Sequence, residues 1–196
     1  MNAVNFLLAG VGGQGTLLAS DIVADVGMNS GLDVKKSEVH GMSQRGGAVT
    51  SHVRWGEVVA SPLSERGTVD FFIAQEMLEA LRWIEYLAPT GTVLLSDQKL
   101  PPTSTVFGED QYPQDAKALE TIRQAAETVL FVRASEVAEE LGNPRVANSV
   151  LLGALSNLVE IPEDEWYRVI SERVPERHTE INRQAFLAGR NGDWKI

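Results

Sequence analysis

Two glycine-rich segments carry the residues best suited to chemistry in this chain. Gly10-Val11-Gly12-Gly13-Gln14-Gly15 fits the pattern G-x-G-x-x-G. It follows a short apolar run and precedes a helical pattern, a setting in which glycines permit a tight turn and close approach of backbone to ligand. Free N–H groups at the helix start then face an anion such as a phosphate. The second segment, Glu38-Val39-His40-Gly41-Met42-Ser43-Gln44-Arg45-Gly46-Gly47, sets an acid, an imidazole, a hydroxyl, an amide and a guanidinium among three glycines. Arg45 offers a fixed positive charge and a planar donor fork matched to phosphate or carboxylate. Each segment also has a plain structural reading. The first loop then only tightens a strand–helix junction, and Arg45 pairs with a surface carboxylate.

Glu38 lies at the end of the second strand, about 20 residues beyond the loop, where a dinucleotide fold places its ribose-binding acid. A stand-alone NAD(P) dehydrogenase is therefore the natural rival, and a non-catalytic nucleotide-binding or structural module is a third reading. Against the dehydrogenase, the second strand runs into the glycine segment and a hairpin, where a dinucleotide fold continues into a helix and a third parallel strand. No positioned acid or base for hydride chemistry stands out. His40 beside a strand end is read as structural, and Met42 as a gap-filler. Asn148 reads as an amide that bonds a loop, and Gly153-Ala154 as small residues that let helices pack closely.

Composition narrows the field. The chain has 196 residues, 43% of them hydrophobic and 22% charged, enough for one well-filled core but not two ordinary domains. A formal charge of −10 repels phosphate backbones, so nucleic acid is not an expected partner. There is no cysteine, which excludes disulfides and thiolate-held zinc or iron–sulfur clusters. His40, His52 and His178 show no metal-binding spacing. No apolar run approaches the ~20 residues of a membrane span, and the first reads as a strand and not as a signal peptide, so a cytoplasmic location is expected.

The elements that position the two segments can be read from periodicity. Val4 to Ala9 is a continuous apolar run, as in a strand buried on both faces. Leu18, Ile22 and Val26 stand at helical spacing over 16–29, and 32–39 is extended again, completing a strand–helix–strand unit. Val49, Ser51, Val53 and Trp55 alternate with polar residues, and 58–60 follows across Gly56-Glu57, which predicts a β-hairpin. Further strands are expected at 69–74, 92–96 and 129–132, with helices over 76–87 and 114–127 and an irregular stretch from Pro101 to Pro113. Ser135 suits a helix start and Gly142-Asn143-Pro144 a stop. Three helical patterns, 145–159, 163–173 and 176–188, complete the chain. The expectation is a single α/β domain over 1–196: three-layered, Rossmann-like, with a mixed, mostly parallel sheet and a helical C-terminal third. The two glycine segments, leaving strands taken as adjacent, should converge at the sheet's carboxyl end.

Several stretches together resemble a known family. Gly10 to Gly15, Glu38 to Arg45, Glu79-Ala80-Leu81-Arg82, Asn148 with Leu152-Gly153-Ala154-Leu155, and Asn182, Ala185-Phe186 and Gly189 are similar to the beta subunits of indolepyruvate ferredoxin oxidoreductases, within the 2-oxoacid:ferredoxin oxidoreductases. The likeness covers nearly the whole chain. It implies a small subunit that binds no cofactor alone, is inactive alone, and works beside a large alpha subunit carrying thiamine diphosphate and [4Fe–4S] clusters. The implied reaction is oxidative decarboxylation of an arylpyruvate with coenzyme A as co-substrate, electrons passing to ferredoxin through the complex. Carried over, the two glycine segments and Asn148 would contact coenzyme A phosphates or substrate, or line the subunit interface. A homodimer is one form open to the isolated chain.

Overall fold

The computed structural model describes residues 3–40, 46–106, 108 and 111–196. Six strands form one sheet: β1 (Val4–Val11), β2 (Asp33–His40), β3 (Ala48–Gly56), β4 (Val69–Ala74), β5 (Leu87–Ser96) and β6 (Thr128–Val132), in the order β2-β3-β1-β4-β5-β6. β1, β4, β5 and β6 pair in parallel, while β3 runs antiparallel to both β2 and β1. The helices are α1 (Thr16–Asn29), α2 (Met77–Trp83), α3 (Thr103–Val106), α4 (Asp115–Ala125), α5 (Ala134–Glu140), α6 (Ala147–Ser156), α7 (Glu163–Arg173) and α8 (Thr179–Asn191).

The pleat of β1 divides the core. Phe6 and Leu8 face a cluster shared with α1 and α5–α8, whereas Leu7 and Ala9 face one shared with α2 and α4. All four are fully buried, so β1 is the central strand between two helical layers. An aromatic series ties the larger layer to the sheet: Phe6 lies 4.4 Å from Trp55, Trp55 6.4 Å from Trp166, and Trp166 6.5 Å from Phe186. The three-layer α/β expectation therefore holds, with the helical C-terminal third stacked on one face.

Two expectations need correction. The alternation over 49–55 does form a strand, but 58–60 is not its hairpin partner. Trp55 pairs instead with Val34 and Val4, so β3 fills the gap between β2 and β1. The helix expected over 76–87 ends at Trp83, passes through a single 3₁₀ turn at 84–86, and gives way to β5 already at Leu87. Leu87 is buried in the smaller core cluster, so packing and not helical periodicity decides its conformation.

Candidate functional site

β1 and β4 lie side by side, and the chain leaves their carboxyl ends in opposite directions. α1 leads from β1 to the β2–β3 side, and α2 leads from β4 to the β5–β6 side. Such a switch point opens a crevice just beyond the strand ends, the usual ligand position in α/β sheets. The first glycine loop forms one wall of it.

Loop geometry follows from its glycines. Gln14 N–H closes a turn on the Val11 carbonyl at 3.0 Å. Gly13 has φ +109° and Gly15 φ +78°, values that side-chain-bearing residues rarely adopt. Gly15 caps α1 without a side chain, and the N–H groups of Gly13, Gly15, Thr16 and Leu17 meet no protein acceptor among the described residues. Gly13 and Gly15 are exposed. A set of oriented donors at the positive end of a 14-residue helix, two of them on exposed glycines, suits an anion.

Gln14, set between these glycines, bonds back to the protein. Its side chain turns inward: Oε1 accepts from Val11 N–H at 2.6 Å, and Nε2 donates to the Gln75 carbonyl at 3.1 Å and to Gln98 Oε1 at 2.9 Å. Asn148, at the start of α6, bonds the loop as expected, its Nδ2 donating to the Gln14 carbonyl at 2.7 Å.

The second segment meets the first through its final glycines. Gly12 N–H donates to the Gly47 carbonyl at 2.8 Å, and Gly46 N–H to the Gly12 carbonyl at 3.3 Å. The assumption behind this convergence was nevertheless wrong, because β2 and β1 are not neighbours. The segments meet because β3 returns antiparallel, placing Ala48 opposite Val11. Gly41, Met42, Ser43, Gln44 and Arg45 lie outside the described residues, and His40 closes β2 opposite Val49. Glu38 pairs with Lys36, which also pairs with Asp21. Glu38 thus sits on an edge strand, two strands from the loop, where a dinucleotide fold would need it next door.

Sequence reasoning missed the residues beyond β4 and β5. Gln75, 1% exposed, and Glu76, fully buried, follow β4 directly. Glu76 Oε2 caps α2 by accepting from Leu78 N–H at 2.7 Å and Glu79 N–H at 3.3 Å, while Tyr112 O–H donates to Oε1. Burial pushes the Glu76 carboxyl up, against the pull of Tyr112 and the backbone donors. The Tyr112 hydroxyl is pushed up by burial and by Glu76. Buried Glu79 pairs with Arg82 at 2.8 Å, and Arg82 reaches Ser104 Oγ at 2.9 Å. Asp97, after β5, accepts from Ser135 and Glu136 N–H at 2.7 and 3.1 Å and so caps α5 from a distant part of the chain. One signal could have found Gln75, Glu76 and Asp97: each is among the first polar groups after a buried apolar run.

Among the described residues, the side chains bonded around the loop are neutral amides and one hydroxyl: Gln14, Gln75, Gln98, Asn148 and Thr16. His52, buried in β3 and lowered by burial, accepts from Ser64 N–H at 3.4 Å, well away from the loop in the β1–β3 register. Among the described residues no cluster of His, Asp or Glu could hold a metal ion, and no helix is long and apolar enough to cross a membrane.

Comparison with known proteins agrees with this architecture. Residues 5–192 match the pyruvate ferredoxin/flavodoxin oxidoreductase family. The chain is 37% identical over 190 residues to the indolepyruvate oxidoreductase subunit IorB of Archaeoglobus fulgidus, a match covering 96% of this chain and 94% of that one. The gamma subunit of a keto/oxoacid ferredoxin oxidoreductase from Geobacter sulfurreducens shares the fold with a TM-score of 0.70 at 24% identity, covering 95% and 96% of the two chains. A 2-oxoglutarate:ferredoxin oxidoreductase from Magnetococcus marinus, solved with 2-oxoglutarate, coenzyme A and succinyl-CoA bound, shares it with a TM-score of 0.74 at 22% identity. That match covers 97% of this chain and 31% of the longer one.

Proposed function

Because this chain belongs to the pyruvate ferredoxin/flavodoxin oxidoreductase family and is the small subunit of a 2-oxoacid:ferredoxin oxidoreductase, we propose that its glycine loops hold the phosphates of coenzyme A. In this reading the complex is cytoplasmic and oxidises indolepyruvate or a similar arylpyruvate to an acyl-CoA. A large partner subunit holds thiamine diphosphate and [4Fe–4S] clusters, which supply the decarboxylation and pass electrons to ferredoxin. This chain holds no cofactor itself. It contributes a preformed anion cradle and part of the wall that closes over the reacting groups. The observation that carries the reading is the clasp of Gly12 by Gly46 and Gly47 beside the unpaired N–H groups of α1. It brings the glycines that follow Arg45 in sequence to a place where the described residues present oriented donors at a switch point.

Arg45 supplies the test. A hydrogen bond to a charged group is worth ~1.5–3 kcal/mol, so Arg45→Ala in the reconstituted complex should cost roughly ten- to a hundredfold in the affected constant. If the partner is a phosphate, the KM for coenzyme A rises and that for the 2-oxoacid holds. If the partner is the substrate carboxylate, the pattern reverses. Lysine rescues only in part, because it supplies charge without the planar fork. Both constants unchanged at fixed ionic strength, with normal assembly, would defeat the assignment.

A further inference from the structure

The glycine loop has no side-chain cap and two residues at positive φ, so something outside it must fix its shape. The surroundings of Gln75 identify that element. Gln75 follows β4 directly and is 1% exposed. Its backbone N–H donates to the Ala9 carbonyl at 2.8 Å, carrying the parallel β1–β4 ladder one residue further. Its carbonyl accepts from Gln14 Nε2 at 3.1 Å. Its side-chain Oε1 accepts from the Thr16 hydroxyl at the first position of α1, and its Nε2 donates to Asn148 Oδ1 on α6. Asn148 in turn bonds the Gln14 carbonyl at 2.7 Å. Gly10 completes the enclosure, for a Cβ there would stand 2.5 Å from Gln75 Oε1. One buried residue thus touches the loop through its backbone at the beginning and middle, and its side-chain amide joins the first residue of α1 to α6.

We propose that Gln75 is the positioning residue of the glycine loop, the group that fixes the direction in which the N–H groups of Gly13, Gly15 and Thr16 face. The chemistry requires an uncharged group with a donor and an acceptor. A carboxylate would set an acceptor oxygen against Asn148 Oδ1 and would oppose any anion in the loop. An apolar side chain would leave the Thr16 hydroxyl and the Asn148 carbonyl oxygen buried without partners. The role is indirect, since Gln75 is covered by the loop and touches no ligand. Its consequence for catalysis rests on the proposal that the loop holds coenzyme A.

Three variants test it: Gln75→Leu, which keeps bulk, Gln75→Glu, which keeps shape, and Gly13→Val as a comparison within the loop. The first readout, hydrogen exchange of a peptide spanning residues 10–18 in the folded chain, is independent of ligand. Gln75→Leu should speed exchange of the hydrogen-bonded amides in it, those of Val11, Gly12 and Gln14, by about tenfold, the effect of losing one to two hydrogen bonds, and leave the strand amides of β4 unchanged. Exchange at the wild-type rate in folded Gln75→Leu overturns the proposal. The second readout is the KM for coenzyme A in the reconstituted complex, which should rise about tenfold in Gln75→Leu while the KM for the 2-oxoacid holds. Gln75→Glu should recover as pH falls, because a protonated carboxyl again offers one donor and one acceptor; a KM ratio to wild type that does not change with pH counts against the role. If exchange quickens but no variant, Gly13→Val included, moves the KM for coenzyme A, the positioning role stands and the coenzyme A reading falls.

Discussion

Gly153 on α6 and Gly189 on α8 interlock, each pressed against the backbone of the other's helix. A Cβ on Gly153 would lie 2.0 Å from the Phe186 carbonyl oxygen, and one on Gly189 1.9 Å from that of Val150. This contact seats α6, and with it Asn148, at the height of the glycine loop.

Gly153→Ala should therefore destabilise the chain by about 3 kcal/mol, the upper range for overpacking, because the obstacle is backbone and cannot rotate away. Urea unfolding checks this: the midpoint should fall with an unchanged slope. A loss under about 0.5 kcal/mol would mean that the two helices separate without cost.

Gly13 answers to strain instead of space. A Cβ there meets nothing within 4 Å, but φ is +109°. Gly13→Val should cost ~1–3 kcal/mol in backbone strain and lower the Tm by a few degrees, leaving the chain folded. Turnover of the complex should nevertheless collapse, because the side chain enters the crevice. A folded variant with full turnover would make the loop only a junction.

Glu76 should give the chain a pH signature. Its folded carboxyl is raised by burial, so the folded state binds the proton more tightly than the unfolded chain, whose glutamates titrate near about 4.3. The penalty of burying the charge is absent below that value, grows as pH rises toward the raised one, and is fully present above it. Glu76→Gln should flatten this decline, visible as the difference between variant and wild-type stability curves from pH 4 upward. Tyr112→Phe removes a donor to the carboxylate and should steepen it. A difference curve that slopes the other way would show that the capping bonds outweigh burial.

The lone chain should be colourless. With no cysteine and no metal cluster among the described residues, absorbance near 400 nm, bound iron and arylpyruvate-dependent dye reduction should all be absent until a large subunit is added. NADH binding at micromolar affinity would favour the dehydrogenase reading instead.

The central scaffold was legible in the sequence because β1, α1 and β4 are strongly patterned. Phe6 to Ala9 is apolar on both faces, and a strand buried on both faces has few other ways to be written. What escaped was non-local. The alternation from Val49 to Trp55 revealed a strand but not its neighbours, since pairing with Val4 and Val34 depends on the return path of the chain. The nearer segment 58–60 looked the better partner only because it was near. In the site, the glycines announced themselves through spacing. Gln75, Asp97 and Gln98 lie just past strand ends and belong to no pattern until the strands are set side by side. Gln14 was noticed, but its inward turn depends on acceptors far along the chain.

The two edges of the sheet differ in a way that bears on self-association. Along β6 the chain's own residues 194–196 run antiparallel, with Phe131 N–H donating to the Trp194 carbonyl, Ile196 N–H to the Val129 carbonyl, and Lys195 bridging Leu130. β2 has no such cover among the described residues, and none of residues 33–39 is fully buried. Polymerisation through strand pairing needs two open edges per molecule, one to give and one to receive. With one edge occupied, addition at β2 terminates after a single step: such growth yields a closed pair and never a fibre.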